Sequence, residues 1–86
     1  MTGKVQVLST PGCAGCAQTK HLLAKVLAEF PGLDWEEVDL VEHPELAERY
    51  RIMSVPAVVI DGELAFTSVP KEDALRERIE RLKGRR

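Results

Sequence analysis

The run Ala57-Val58-Val59-Ile60, closed at once by Asp61-Gly62, limits the folds open to this chain more than any other stretch. Four consecutive apolar residues between turn signals leave no polar face, so they describe a central strand buried on both sides. Asp-Gly is a strong two-residue hairpin turn, and Glu63-Leu64-Ala65-Phe66-Thr67 then pairs back antiparallel. A strand apolar on both faces needs helices above and below its sheet.

The remaining segments supply them. Lys4 to Ser9 is rich in Val and Leu and alternates weakly, as a strand does, until Thr10-Pro11-Gly12 breaks it. From Cys13 onward, Ala17, Leu22, Leu23, Val26, Leu27 and Phe30 recur at helical spacing, and Pro31-Gly32 stops that helix. Trp35-Glu36-Glu37-Val38-Asp39-Leu40 partly alternates and forms a second extended segment. After His43-Pro44, residues 45–50 make a short helix that buries Leu46, Ala47 and Tyr50. Pro70 opens the last helix at its first turn, where a missing N–H costs nothing. Leu75, Ile79 and Leu82 give that helix its apolar stripe, and Gly84 marks its fraying end.

The order is β-α-β-α-β-β-α, without internal repeat, linker or low-complexity segment. A strand–helix–strand opening implies a right-handed crossover and a parallel pair. The expected fold is therefore α/β: a four-stranded mixed sheet flanked by three helices. Eighty-six residues leave no room for a second core, so residues 1–86 form a single domain, with 84–86 a frayed basic tail.

Charge narrows the function. A formal net charge of -2 argues against a dedicated nucleic-acid binder. Residues 34–48 are acid-rich, whereas Arg76, Arg78, Arg81, Lys83, Arg85 and Arg86 make the C-terminus basic. Glu72, Asp73, Glu77 and Glu80 interleave with those cations, as on a solvated helix carrying i,i+3 and i,i+4 ion pairs. No secretory h-region precedes Val5, and no apolar stretch approaches the roughly 18 residues of a membrane helix. The expected setting is a cytoplasmic monomer with no membrane contact. There, two cysteines close in sequence indicate redox or metal chemistry rather than a structural staple.

Cys13-Ala14-Gly15-Cys16 lies where a strand ends and a helix begins. Thiolate, not thiol, is the nucleophile, and unpaired N–H groups at a helix N-terminus favour the anion. The three-residue separation brings Cys16 round one turn to meet Cys13. Attack by Cys13 on a substrate disulfide, with Cys16 resolving the mixed disulfide, is the chemistry this spacing suits.

Over essentially its whole length the chain resembles the thioredoxin/glutaredoxin superfamily, and most of all the small, glutaredoxin-sized thioredoxins of bacteria and archaea. Two stretches carry the likeness: residues 7–16, ending in Cys13-Ala14-Gly15-Cys16 with Lys20 beyond, and residues 46–62, containing Val55-Pro56 before the apolar strand. The resemblance implies a thioredoxin-like fold and dithiol–disulfide exchange with protein substrates. It implies an unidentified reductase as electron source and no cofactor beyond the Cys13–Cys16 disulfide. It also implies a cis Val55–Pro56 bond beside the Cys13 sulfur, with the backbone of Val55 pairing with an extended substrate.

The chain also departs from its relatives. Larger thioredoxins place a buried aspartate six residues before the first cysteine; here that position is Val7, and Lys20 and His21, close in sequence, suit solvated helix positions better than a proton relay. Glutathione-using glutaredoxins carry a basic residue where Thr10 stands, and a Gly-Gly element where this chain has residues 66–71. Glutathione is thus a poorer candidate than a protein disulfide. A Cu(I)- or Zn-binding module using both thiolates is the alternative, but the heavy-metal-associated domains it resembles end on a strand. Two cysteines fall short of a four-ligand zinc site, and His43 before Pro44 suits a polar turn. A third reading, a partner-binding adaptor on the same fold, has no need of Cys13, Cys16 and Pro56 together.

Overall fold

The computed structural model describes residues 4–83. Its sheet consists of β1 (Lys4–Ser9), β2 (Asp34–Asp39), β3 (Ala57–Ile60) and β4 (Glu63–Phe66), in the spatial order β2-β1-β3-β4. The helices are α1 (Ala14–Leu27), α2 (Pro44–Arg49) and α3 (Glu72–Lys83). β1 runs parallel to β2, with Val5 opposite Trp35 and Leu8 opposite Val38. β1 and β3 are antiparallel, as are β3 and β4, so the sheet is mixed. All four residues of β3 are buried, as their unbroken apolar run requires. Asp61 and Gly62 have φ of 53° and 83°, the two positive values a type I′ hairpin needs. A register shift between Val58 and Val59 places Phe66 and Leu64 opposite them, leaving Ala65 as the extra residue of a bulge.

Strand pleating divides the core. Val5, Val7, Val58 and Ile60 face Leu23, Val26 and Leu27 of α1 and Leu75 and Ile79 of α3. Leu8, Ala57 and Val59 face the other way, together with Leu40, under Leu46 and Ala47 of α2. Because β1 and β3 are antiparallel, Leu8 pairs with Ala57. The end of β1 and the start of β3 therefore lie at the same end of the sheet, which is where the two motif segments meet.

Several expectations need correction. Ala17 is exposed, and Thr19 takes its place on the inner face of α1. A helix that buries Cys16 must next turn residues 19, 23, 26 and 27 inward at 3.6 residues per turn. The Thr19 hydroxyl is satisfied by donating to the Gly15 carbonyl at 2.8 Å. Leu46, Ala47 and Tyr50 are only half-buried, because a six-residue helix shields one face of the sheet incompletely. Pro70 lies outside α3, whose first bond runs from the Leu75 N–H to the Lys71 carbonyl at 2.9 Å. Pro70 and Leu75 are both buried, at the two positions that form a hydrophobic staple. The fraying end at Gly84 and the basic tail 84–86 lie outside the described residues.

The ion pairs of α3 reach further than its own surface. Arg76 meets Glu72 at 2.9 Å within the helix and Glu29, just beyond α1, at 2.8 Å. Lys25 of α1 also reaches Glu72, and Arg78 reaches Glu63 on β4. These exposed pairs each add little to stability, but they register α3 against its neighbours.

The end of α2 carries one strained residue. The Ile52 N–H donates to the Ala47 carbonyl at 2.8 Å and the Arg51 N–H to that of Glu48 at 3.2 Å, with Arg51 at φ 54°. This is the Schellman arrangement, whose left-handed position suits glycine. An L-residue there costs about 1–2 kcal/mol, part of which glycine gives back through its freer unfolded state. Arg51→Gly is therefore expected to stabilise the fold by about 0.5–1 kcal/mol, read as a higher urea midpoint with an unchanged m-value.

Candidate active site

Gly12, at φ 79°, turns the chain from β1 into α1. Cys13 follows as the N-cap of α1, with extended backbone (φ -87°, ψ 109°), and its sulfur accepts the Cys16 N–H at 3.0 Å. The sulfur thus occupies the place that a Ser or Asp oxygen takes at ordinary helix starts. The first turn of α1 holds no acidic residue, so no carboxylate competes for those N–H groups. Cys13 is half-exposed, whereas Cys16 is only 2% exposed. The two are joined as a disulfide, with Cα atoms 5.2 Å apart. The pair is asymmetric, with the first cysteine the more exposed and the second buried.

The second motif arrives from β3. The Val55–Pro56 bond is cis, Pro56 is buried and Val55 half-buried. What joins the two segments is Gly15. A methyl group built on it would stand 3.1 Å from Cγ2 of Val69 and 3.2 Å from Cδ of Pro56. Residues 15, 56 and 69 are therefore in close contact, and Val69, 39% exposed, completes the rim. The importance of Gly15 has no signal in the sequence, since its neighbours come from distant parts of the chain. Gly15→Val is expected to destabilise the fold by about 1–3 kcal/mol through overpacking. Adding Val69→Ala should return part of that loss, and a double-mutant cycle in urea measures the coupling.

A short polar chain links β1, β2 and α1. The Ser9 hydroxyl donates to one oxygen of Glu37 at 2.9 Å and the Lys20 ammonium to the other at 3.1 Å. Ser9 and, after it, Lys20 hold the Glu37 carboxyl below the usual carboxylate range. Lys20 lies one turn beyond Cys16 and is half-buried and ion-paired, rather than freely solvated as its sequence position indicated. His21 is exposed, and so is His43, whose Nδ1 lies 3.3 Å from Glu45. Among the described residues, no group of three or more His, Cys, Asp or Glu side chains is gathered around a point where a metal ion could sit. No helix among them is long and apolar enough to cross a membrane.

Known proteins share this architecture. A thioredoxin-domain family model matches residues 3–80. The thioredoxin of Methanocaldococcus jannaschii is 33% identical over 79 residues, covering 91% of this chain and 93% of that protein. A probable thioredoxin of Methanothermobacter marburgensis is 31% identical over 80 residues, with 92% and 94% covered. Among solved structures, mitochondrial thioredoxin 3 from Saccharomyces cerevisiae in its oxidised form superposes with a TM-score of 0.77 at 22% identity, over 92% of this chain and 77% of that one. Fasciola hepatica thioredoxin gives 0.76 at 25% identity, over 93% and 80%.

Proposed function

Because this chain belongs to the thioredoxin family and is a dithiol–disulfide oxidoreductase, we propose that Cys13 is its attacking thiol and Cys16 its resolving thiol. The observation that carries the assignment is the Cys16 N–H directed at the Cys13 sulfur from the first turn of α1. In the reduced protein the same donor and the helix dipole favour the Cys13 thiolate over the thiol. The exposure of Cys13 and the burial of Cys16 order the two steps.

The Cys13 thiolate attacks one sulfur of a substrate disulfide, forming a mixed disulfide and expelling the other sulfur as thiolate. Cys16, losing its proton, then attacks the Cys13 sulfur, forming the intramolecular bond and releasing the second substrate thiolate. Two electrons pass from the dithiol to the substrate, and the two cysteine protons end on its sulfurs. The pair is its own redox store, so the cycle calls for no bound cofactor. Pro56, in contact range of Gly15, and Val55 before it form the platform along which an extended substrate lies. The substrates on this reading are disulfides of proteins, and a reductase in the cytoplasm returns the electrons. Glutathione lacks a basic anchor at Thr10.

The test is a thiol-trapping redox titration of metal-free protein in dithiothreitol or glutathione buffers, read by mass. Both thiols are expected to disappear together as one two-electron couple, between about -180 and -300 mV. Independent loss of the thiols, or tight Cu(I) or zinc binding without an intramolecular disulfide, would overturn the reading.

A further inference from the structure

Strand pleating puts two polar side chains on the face of the sheet that α1 covers. Val5 and Val7 of β1 and Trp35 of β2 belong to the cluster beneath α1, so Ser9 and Glu37, two residues further along their strands, face the same way. Ser9 closes β1 and is only 4% exposed, and Glu37 stands opposite Val7 in the parallel register. Lys20 reaches this carboxylate from α1. Both carboxylate oxygens are thus engaged, one by Lys20 at 3.1 Å and the other by Ser9 at 2.9 Å.

Lys20 is the first basic residue of α1, about 6 Å along the helix axis from Cys16 and about 10 Å from Cys13. Helix side chains lean towards the N-terminus, which carries its ammonium back in the direction of the two cysteines. A free ammonium there would add to the pull of the helix start on a thiolate. A carboxylate in contact with it cancels most of that pull. The neighbouring charges are engaged elsewhere. Glu36, on the opposite face of β2, meets Lys4 and Gln6; Asp39 accepts the Val41 N–H; His43 lies against Glu45. Glu42 lines the same cleft as Glu37 and adds only negative charge. Among the described residues, Lys20 is the one cation paired with Glu37.

We propose that Glu37 is a positioning residue of the exchange site, acting through Lys20: it pins and neutralises that ammonium, and so makes the dithiol a stronger reductant than a free lysine would leave it. The proposal rests on the exchange chemistry assigned to Cys13 and Cys16 and adds what sets its equilibrium. A charge that stabilises thiolate favours the reduced form of the couple, and one that destabilises thiolate favours the disulfide. Removing Glu37 leaves a bare cation, whereas removing Lys20 leaves a bare anion. The two losses therefore act in opposite directions. A contact that merely braced α1 against the sheet would have no such sign, since either loss breaks the same brace. For unit charges about 10 Å apart at effective dielectrics of about 40–80, each shift is about two- to four-fold.

The test is the equilibrium constant of full-length protein against glutathione at pH 8 in 0.1 M salt, read by thiol trapping and mass. Glu37→Gln is expected to shift it about two- to four-fold towards the dithiol, and Lys20→Met by a similar factor towards the disulfide. The double variant should return close to the wild type, and Lys20→Arg should stay there. In 1 M salt the shifts should shrink towards one, because the screening length falls from about 10 Å to about 3 Å. Lys25→Met changes the net charge by the same unit, but Lys25 pairs with Glu72 about 14 Å along the helix from Cys16, so it should move nothing. Single variants that shift the constant in the same direction or not at all, or an equal shift from Lys25→Met, overturn the role of the pair. The wild type separates the two failures. If its thiols form one intramolecular couple while the variants fail the sign test, only this inference falls; if they form no such couple, the exchange reading falls and takes the inference with it.

Discussion

Cys13→Ser protein is expected to reduce no disulfide above background, a loss of roughly three orders of magnitude or more, as when the nucleophile of other covalent catalysts is removed. A serine hydroxyl at the N-cap accepts the same Cys16 N–H, so the helix start survives while the nucleophile is gone. Cys16→Ser should behave differently. Its exposed Cys13 still attacks, but nothing inside can attack the Cys13 sulfur, so the protein stops as a mixed disulfide visible by intact mass. Full dithiol turnover by Cys16→Ser, or adduct formation by Cys13→Ser, would reverse the two roles. The contrast is sharper than either variant alone, because unfolding would abolish turnover in both but would not trap one of them.

Features that depend on local pattern were legible in the sequence. β3 is buried on both faces, and four apolar residues in a row record that directly; Asp61-Gly62 carries the φ requirement of its turn in its own composition. Cys13 and Cys16 were legible for the same reason, since a strand-to-helix boundary and a one-turn spacing are both local. Features that depend on partners distant in the chain were not. Ala17 is less polar than Thr19, yet burial of Cys16 sets the helix phase, and the Thr19 hydroxyl donates to the Gly15 carbonyl. Gly15 is indistinguishable from a flexible linker residue until Val69 and Pro56 are seen against it. Lys20 had no visible partner because Glu37 belongs to β2, brought alongside only by the parallel pairing with β1. Arg51 shows the limit from the other side: nothing in an arginine announces a positive φ, so its strain is visible only in the backbone.

Leu23→Ala is expected to remove about 2–5 kcal/mol, the cost of emptying a well-packed leucine site. Leu23 is fully buried in the cluster that also holds Val5, Val7, Val26, Ile60, Leu75 and Ile79, drawn from the sheet, α1 and α3. A cluster drawn from the sheet and two helices cannot collapse by moving any one of them, which argues for the upper part of that range. A domain of this length has a total stability nearer the lower end of the usual 5–15 kcal/mol, so the loss is a third or more of it. The urea midpoint should fall accordingly, whereas Leu22→Ala, on a half-exposed neighbour, should lose far less. The same variant separates fold from site. The Cys16 N–H and the Cys13 sulfur are set by the first turn of α1, two turns from residue 23, and that geometry is local. Exchange by Leu23→Ala should therefore track the folded fraction as temperature or urea is raised. A rate that drops while the protein is still folded would mean that core packing, and not the helix start alone, holds the sulfur in its reactive position.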